Sequence, residues 1–357
     1  MMKKRTMILA SVLLLCTLTA CTGKQESTES TTISESQQSY TLQDGEDITI
    51  TSAGTYEFTG EAKNVTITIK ADETDEVELV LDSVSIVNDE APAVYVASAD
   101  KVSITTTDTQ NSLQVSEEND QLDAAIYSED DLELNGDGTL TITSASHGIS
   151  VKDSLNITGG SINITASKDG LHAEDNDDDT VGSVSVSGGA VNITAEDDGI
   201  HATTTVEIDG GTVDLTAAEC VEGTYIKING GDITINASDD GINASQKSSA
   251  YTPTVEINDG SLKITMGAGD TDGIDSNGNI YVNGGTIDIT GQSTFDYDGE
   301  AKVTGGTIIE NGTETNTITN QSFGGPDGAQ NGGEGRFPNG DGNGGPGGMR
   351  PEEPKAN

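Results

Sequence analysis

LNITGGSINIT, residues 155–165, sets two short runs of alternating apolar and polar residues on either side of a Gly-Gly pair. Alternation with period two marks a strand buried on one face, and Gly-Gly marks a tight corner between two such strands. The pattern returns as VSVSGGAVNIT (184–194), VEIDGGTVDLT (206–216), IKINGGDITIN (226–236), VEINDGSLKIT (255–265) and IYVNGGTIDIT (280–290). Val, Ile, Thr, Asn and Gly dominate these stretches and disfavour helix. A third short strand follows each corner, centred on one apolar residue: Val94, Ile126, Ile149, Leu171, Ile200, Val221, Ile242, Ile274 and Phe295. The intervals along that series are 32, 23, 22, 29, 21, 21, 32 and 21 residues. A base period near 21–22 with insertions fits three short strands per turn of an all-β parallel β-helix, with the apolar series stacked inside. A β-sandwich would give strands of unequal length and no register surviving so many copies.

If coils stack in register, equivalent positions form columns on the outside. Just after the inner apolar residue come Tyr95, Tyr127, Ser150, His172, His201, Glu222, Asn243, Asp275 and Asp296. Two positions before it come Pro92, Ala124, His147, Asp169, Asp198, Glu219, Asp240, Asp272 and Ser293, acidic over five consecutive coils. Two carboxylates about 5 Å apart repel by roughly 3 kcal/mol at an effective dielectric near 20. Such a row, reinforced by Asp197, Asp239 and Asp275, raises its own pKa values or recruits cations. The long coil after Leu171 adds Glu174 and Asp175 beside the same ridge. Carboxylate and carbonyl oxygens suit Ca²⁺, which tolerates irregular geometry, so these acids are the expected metal ligands. Solubilising surface acids are the plain alternative, but solubility does not require the same column in coil after coil. His172, His201 and Glu222 could frame a transition-metal site, yet linear stacking is poor geometry for one, and a simple histidine ladder is the preferred reading. Cys220 stands in for a glycine beside Val221 and is read as packing.

The chain begins with Lys3, Lys4, Arg5 and a short apolar run, an export signal too short to span a bilayer as a helix. It closes on Leu18-Thr19-Ala20-Cys21, which resembles a bacterial lipobox; the resemblance implies cleavage after residue 20, lipidation of Cys21 and anchorage to the bacterial cell membrane. Residues 21–39 read as a flexible Ser/Thr-rich tether, 40–321 as the solenoid, and 322–357 as a disordered Gly-rich tail. With 16 Lys plus Arg against 61 Asp plus Glu, and a net charge of -45, nucleic acid is excluded as a partner by charge.

The lipobox, the tether, the Gly-Gly coils, the repeated Ala-x-x-Asp-Gly-[Ile/Leu] turns and the Gly-rich tail together resemble the bacterial carbohydrate-binding domain family of the clostridial cellulose- and pectin-binding protein. Its fold is similar to that of the pectate lyases. The resemblance covers about residues 40–323 and implies a right-handed parallel β-helix, bound Ca²⁺ and affinity for plant cell-wall polysaccharides, including acidic ones. Carried onto this chain, calcium ligation falls chiefly on Asp169, Asp198, Asp240 and Asp272. The sequence departs from the family in showing no apolar strand after the Gly-rich segment to cap the last coil. It also has no Trp, which removes the commonest sugar-stacking platform.

The expected function is that of a surface lipoprotein, acting as a monomer, that binds acidic polysaccharide through a calcium-loaded ridge. Glycan contacts are expected from His172, His201, Asn243, Tyr95 and Tyr127. A calcium-dependent lyase would need a Lys or Arg base; Lys168 lies inside the ridge, where flanking acids raise its pKa, the wrong direction for a base. No enzymatic activity is therefore expected. A surface adhesin or spacer without a sugar ligand is the third class.

Overall fold

The computed structural model describes residues 29–33, 39–89, 91–117, 122–269 and 271–321. Cys21, the stretch expected to be an export signal and the tail from residue 322 lie outside them. The described chain is a parallel β-helix: strands of successive coils pair in parallel along three faces, and one antiparallel pair occurs at the C-terminal end. On the face that carries the ridge, the inner apolar residues pair in an unbroken ladder. Val94 pairs with Ile126, then Ile149, Leu171, Ile200, Val221, Ile242, Ile274 and Phe295. All nine residues of the series inferred from sequence are buried. The ladder extends one way further, to Ile67 and Ile48.

The repeating corner has a simple steric cause. The second glycine of each pair takes a left-handed backbone, with φ +81° at Gly160, which a side chain resists. At Gly284, the first of its pair, an added Cβ would stand 2.1 Å from the Asn258 carbonyl oxygen of the preceding coil. Gly-Gly thus serves both the turn and the close stacking of one coil on the next.

Both ends of the aliphatic stack are closed. At the N-terminal end Glu29–Ile33 pairs in parallel with Glu46–Ile50, and Ile33 is buried. The boundary expected near Tyr40 therefore moves: Thr31, Thr32 and Ile33 are β-branched, and part of the stretch read as tether instead covers the first coil. Tyr40 stacks on Phe58 with centroids 5.7 Å apart, above the fully buried Tyr56 and Phe58. At the other end Thr307–Glu310 and Thr313–Thr315 form the antiparallel pair. Asn311 and Gly312, at φ +51° and +77°, make the turn expected of an Asn-Gly hairpin. Ile318 packs on the core and the Gln321 amide donates to Phe295 O at 2.9 Å. The cap thus comes before the Gly-rich segment, as a reversed strand whose polar composition hid it.

Candidate metal centre

In the recurrent Asp-Gly-[Ile/Leu] turn, two of the aspartates bind the backbone of the next coil. Asp169 Oδ1 accepts the amide of Asp198 in the next coil at 3.1 Å, and Asp240 Oδ1 accepts that of Asp272 at 2.9 Å. The other oxygen of Asp169 meets His172 Nδ1 at 2.6 Å, and that of Asp198 meets His201 Nδ1 at 2.8 Å. Asp169 and Asp198 are only 3% and 6% exposed, so the expectation of a uniformly outward row fails here. Their carboxylates fold back because coil amides and imidazoles offer partners that water would otherwise supply.

All three histidines of the chain stack in one column. His147 lies 4.3 Å from His172 between ring centroids, and His172 lies 4.9 Å from His201. The sequence placed His147 in the other column, but its long side chain reaches across. Burial opposes protonation of His147, but hydrogen bonds to Asp123 and Asp169 push it up to about 9, with Nδ1 3.3 Å from Asp169 and Nε2 3.3 Å from Asp123. The His147 hydrogen bond, with Lys168 beside it, holds the Asp123 carboxyl down at about 2. Burial would raise Asp169, but the imidazoles of His147 and His172 outweigh it and keep it well below the carboxylate range. Burial likewise opposes protonation of His201, yet hydrogen bonds to Asp198 and to Glu222, 3.0 Å away, push it up to about 10. Glu222 also pairs with Lys247 at 2.9 Å.

Beyond Glu222 the ridge changes character. Burial and the like charges of Asp275, Glu219 and Asp272 push Asp240 up to about 7, although the Asp272 amide favours its ionised form. Burial together with Asp296 and Asp272 pushes Asp275 to about 6. Glu219 is raised too, by burial first, and accepts from Asn243 Nδ2 at 3.0 Å. Asn243 Oδ1 is buried and makes no hydrogen bond. The carboxylate oxygens of Asp198, Glu219 and Glu222 lie within 4.8 Å of one another. Crowded carboxylates beside an orphaned amide oxygen are groups that could hold a metal ion.

Of the other expected ligands, Glu174 stands 3.4 Å from His172 Nε2. Asp197 and Asp239 are exposed, and Asp175 accepts the Asp177 amide as a turn former, so these three do not join the cluster. Tyr95 and Tyr127 are half-buried and lean on each other at 6.1 Å, continuing the column past Ser150. Cys220 is buried, as expected, and burial pushes its thiol up to about 12.

Three participants were missed. Asp123 was legible: it occupies the position next to the acidic column, as Lys168, Asp197 and Asp239 do. Lys247 and Tyr251 lie in the insertion after Ile242 and carry no periodic signal. Tyr251 is 44% exposed, the one large exposed hydrophobic side chain among the described residues. It borders a groove of about 380 Å³ lined also by Asp131, Asp153, Thr180 and Thr204. The two insertions are tied together, since Asp179 accepts the Ser249 amide at 3.0 Å.

In metal-free protein, the charge on His201 makes stability fall with rising pH. Its folded pKa lies above the ordinary 6.5, so its contribution is complete below about pH 6.5 and disappears as pH passes about 10. Melting curves in chelator should shift down across that window; His201→Gln should remove about half of the slope below about pH 9, where His147, raised to about 9, supplies the rest, and nearly all of it above. An equal slope in the variant would assign the effect elsewhere.

The sequence matches the profile of carbohydrate-binding domain-containing proteins over residues 44–176, 141–224 and 219–328. It is 32% identical over 124 residues to a carbohydrate-binding domain-containing protein of Acetivibrio thermocellus. That match covers 32% of this chain and 43% of the relative, less than half of the relative's length. A solved structure of a polysaccharide lyase-like protein from C. thermocellum, a gadolinium derivative, is 24% identical and covers 77% of this chain and 94% of its own, with a TM-score of 0.40. With its solenoid matched from the second coil to beyond the C-terminal cap, the chain belongs to the family of carbohydrate-binding domain-containing proteins.

Proposed function

We propose that this protein is a non-catalytic, surface-anchored module that binds acidic polysaccharide of the pectate type through Ca²⁺ held on the ridge from Glu219 to Asp275. The observation that carries the reading is the cluster of Asp198, Glu219 and Glu222 oxygens within 4.8 Å of one another, continued by Asp240 and Asp275, which burial and like charges raise, beside the orphaned Asn243 oxygen. Calcium bound there converts a repulsive surface into one that attracts uronate carboxylates, which a chain of net charge -45 otherwise repels. Successive coils about 5 Å apart space such ions to match charges along an extended uronate chain. Tyr251 supplies the exposed ring that Tyr95 and Tyr127 do not, and the Asp131–Asp153 groove beside it offers hydroxyl partners for a neutral sugar face. Export and a lipid on Cys21 place the module at the outer face of the cell membrane.

The lysines support binding rather than elimination. Lys168 pairs with Asp123 at 3.2 Å, Lys152 with Glu129 at 2.6 Å and Lys247 with Glu222 at 2.9 Å. Glu129 raises Lys152, and Glu222 raises Lys247 against the opposing effect of burial. Proton abstraction next to a uronate carboxylate needs a neutral amine, and these pairings hold the amines charged.

A pectate affinity gel tests the proposal. The protein should be retained in Ca²⁺ and released by chelator, and deletion of residues 322–357 should not change retention. Glu219→Gln with Asp240→Asn should abolish calcium-dependent retention. Polygalacturonate incubated with the protein and Ca²⁺ should gain no ultraviolet absorbance from unsaturated uronate. Retention that survives chelation, or absorbance that grows with protein concentration, would overturn the respective half.

A further inference from the structure

We propose that His172, Glu174 and His201 form a second metal site, selective for a first-row transition ion of the zinc type and separate from the all-oxygen calcium positions. Glu174 Oε2 approaches both imidazoles, 3.4 Å from His172 Nε2 and 3.9 Å from His201 Nε2. Ligands held about 2.1 Å from a tetrahedral ion sit roughly 3.4 Å from one another, so the three groups need only a small inward movement. The rings stand 28° from parallel, and a turn of each about its Cβ–Cγ bond supplies that movement.

The surroundings prepare both nitrogens. His172 Nδ1 faces Asp169 at 2.6 Å, while His201 Nδ1 faces Asp198 at 2.8 Å and Glu222 at 3.0 Å. Carboxylates at Nδ1 keep the proton there and leave Nε2 to carry a metal, the arrangement that orients histidine ligands in metal centres. His201 is more than nine-tenths buried, at 8% exposure, and its Nε2 has no hydrogen-bond partner. Left as a donor in that place, Nε2–H would lack an acceptor; an ion that replaces the proton removes the deficit. Two imidazoles and one carboxylate select zinc-like ions, whereas Ca²⁺ takes oxygen alone. Glu174 is part-exposed and opens the long insertion, which gives the ion a path in and leaves a position for water.

The test uses the mature protein, stripped of metal and titrated with Zn²⁺, and in parallel with Co²⁺ as a spectroscopic probe, both in excess Ca²⁺. One equivalent of zinc should bind, and Co²⁺ should show the visible absorption of a four-coordinate site. Glu174→Gln and His172→Gln should each weaken zinc at least about tenfold. Circular dichroism checks that both variants remain folded, and the part-exposed position of Glu174 makes its variant the safer of the two. Glu219→Gln with Asp240→Asn should leave zinc affinity unchanged, so failure of the calcium reading does not touch this one. Zinc affinity unaltered by Glu174→Gln and His172→Gln, or absence of the cobalt absorption, would overturn the proposal.

Discussion

Gly170→Val should lower the melting midpoint by roughly 6–12 °C, or leave the protein insoluble. An added Cβ at Gly170 would stand 2.3 Å from Ile193 Cγ2 and 2.7 Å from the Gly199 carbonyl oxygen of the next coil. Neither atom can retreat without opening the stack, because Ile193 is core and Gly199 lies in the strand Asp198–Ile208 between the paired residues Asp198 and Ile200. Overpacking of this kind costs about 3 kcal/mol, and the two γ-methyls of valine add to it. Gly45→Ala provides the contrast. Nothing lies within 4 Å of its added Cβ, and only the backbone at φ +72° is strained, a cost of about 1 kcal/mol. Thermal melts by circular dichroism compare the two; equal midpoints would show that coil contact at Gly170 is not what the turn glycine protects.

The fold was legible because every coil repeats the same steric problem. A solenoid must return to the same three faces each 21–22 residues, so inner apolar residues and corner glycines recur and give the register from sequence alone. Ile149 pairs with Leu171, and Leu171 with Ile200 across a seven-residue insertion, because the insertion bulges outward and leaves the ladder intact. The ends were harder to read: each cap is a single copy, Glu29–Ile33 at one end and Thr313–Thr315 at the other, and nothing repeats to reveal it.

The site was legible as columns but not as contacts. Periodicity places Asp169, Asp198, His172 and His201 on one face; it does not say that both aspartates turn inward to their own histidines, or that Asp169 also holds the Asp198 amide of the next coil. The division of the ridge depends on side-chain reach. His147 crosses from one column to the other, and Lys247 comes in from an insertion to meet Glu222. The imidazoles and Lys247 thereby engage Asp169, Asp198 and Glu222, and the acids at Asp240 and Asp275 are left with like charges for neighbours.

Calcium should therefore raise the thermal midpoint, and the acids from Glu219 to Asp275 should carry the effect. An ion that binds only the folded chain stabilises it by about 2.7 kcal/mol at a hundredfold excess over its dissociation constant, which corresponds to roughly 5–10 °C for a domain of this size. The increment should grow from pH 5.5 to pH 8, because protonated carboxyls compete with the ion and Asp240 and Asp275 titrate near 7 and 6. The decisive measurement is the melting curve of the wild type and of Glu219→Gln with Asp240→Asn, each in saturating Ca²⁺ and in chelator at pH 8. The account predicts a calcium-dependent rise in the wild type that is largely lost in the double variant. A wild-type curve indifferent to calcium, or a rise that persists undiminished in the variant, would contradict it.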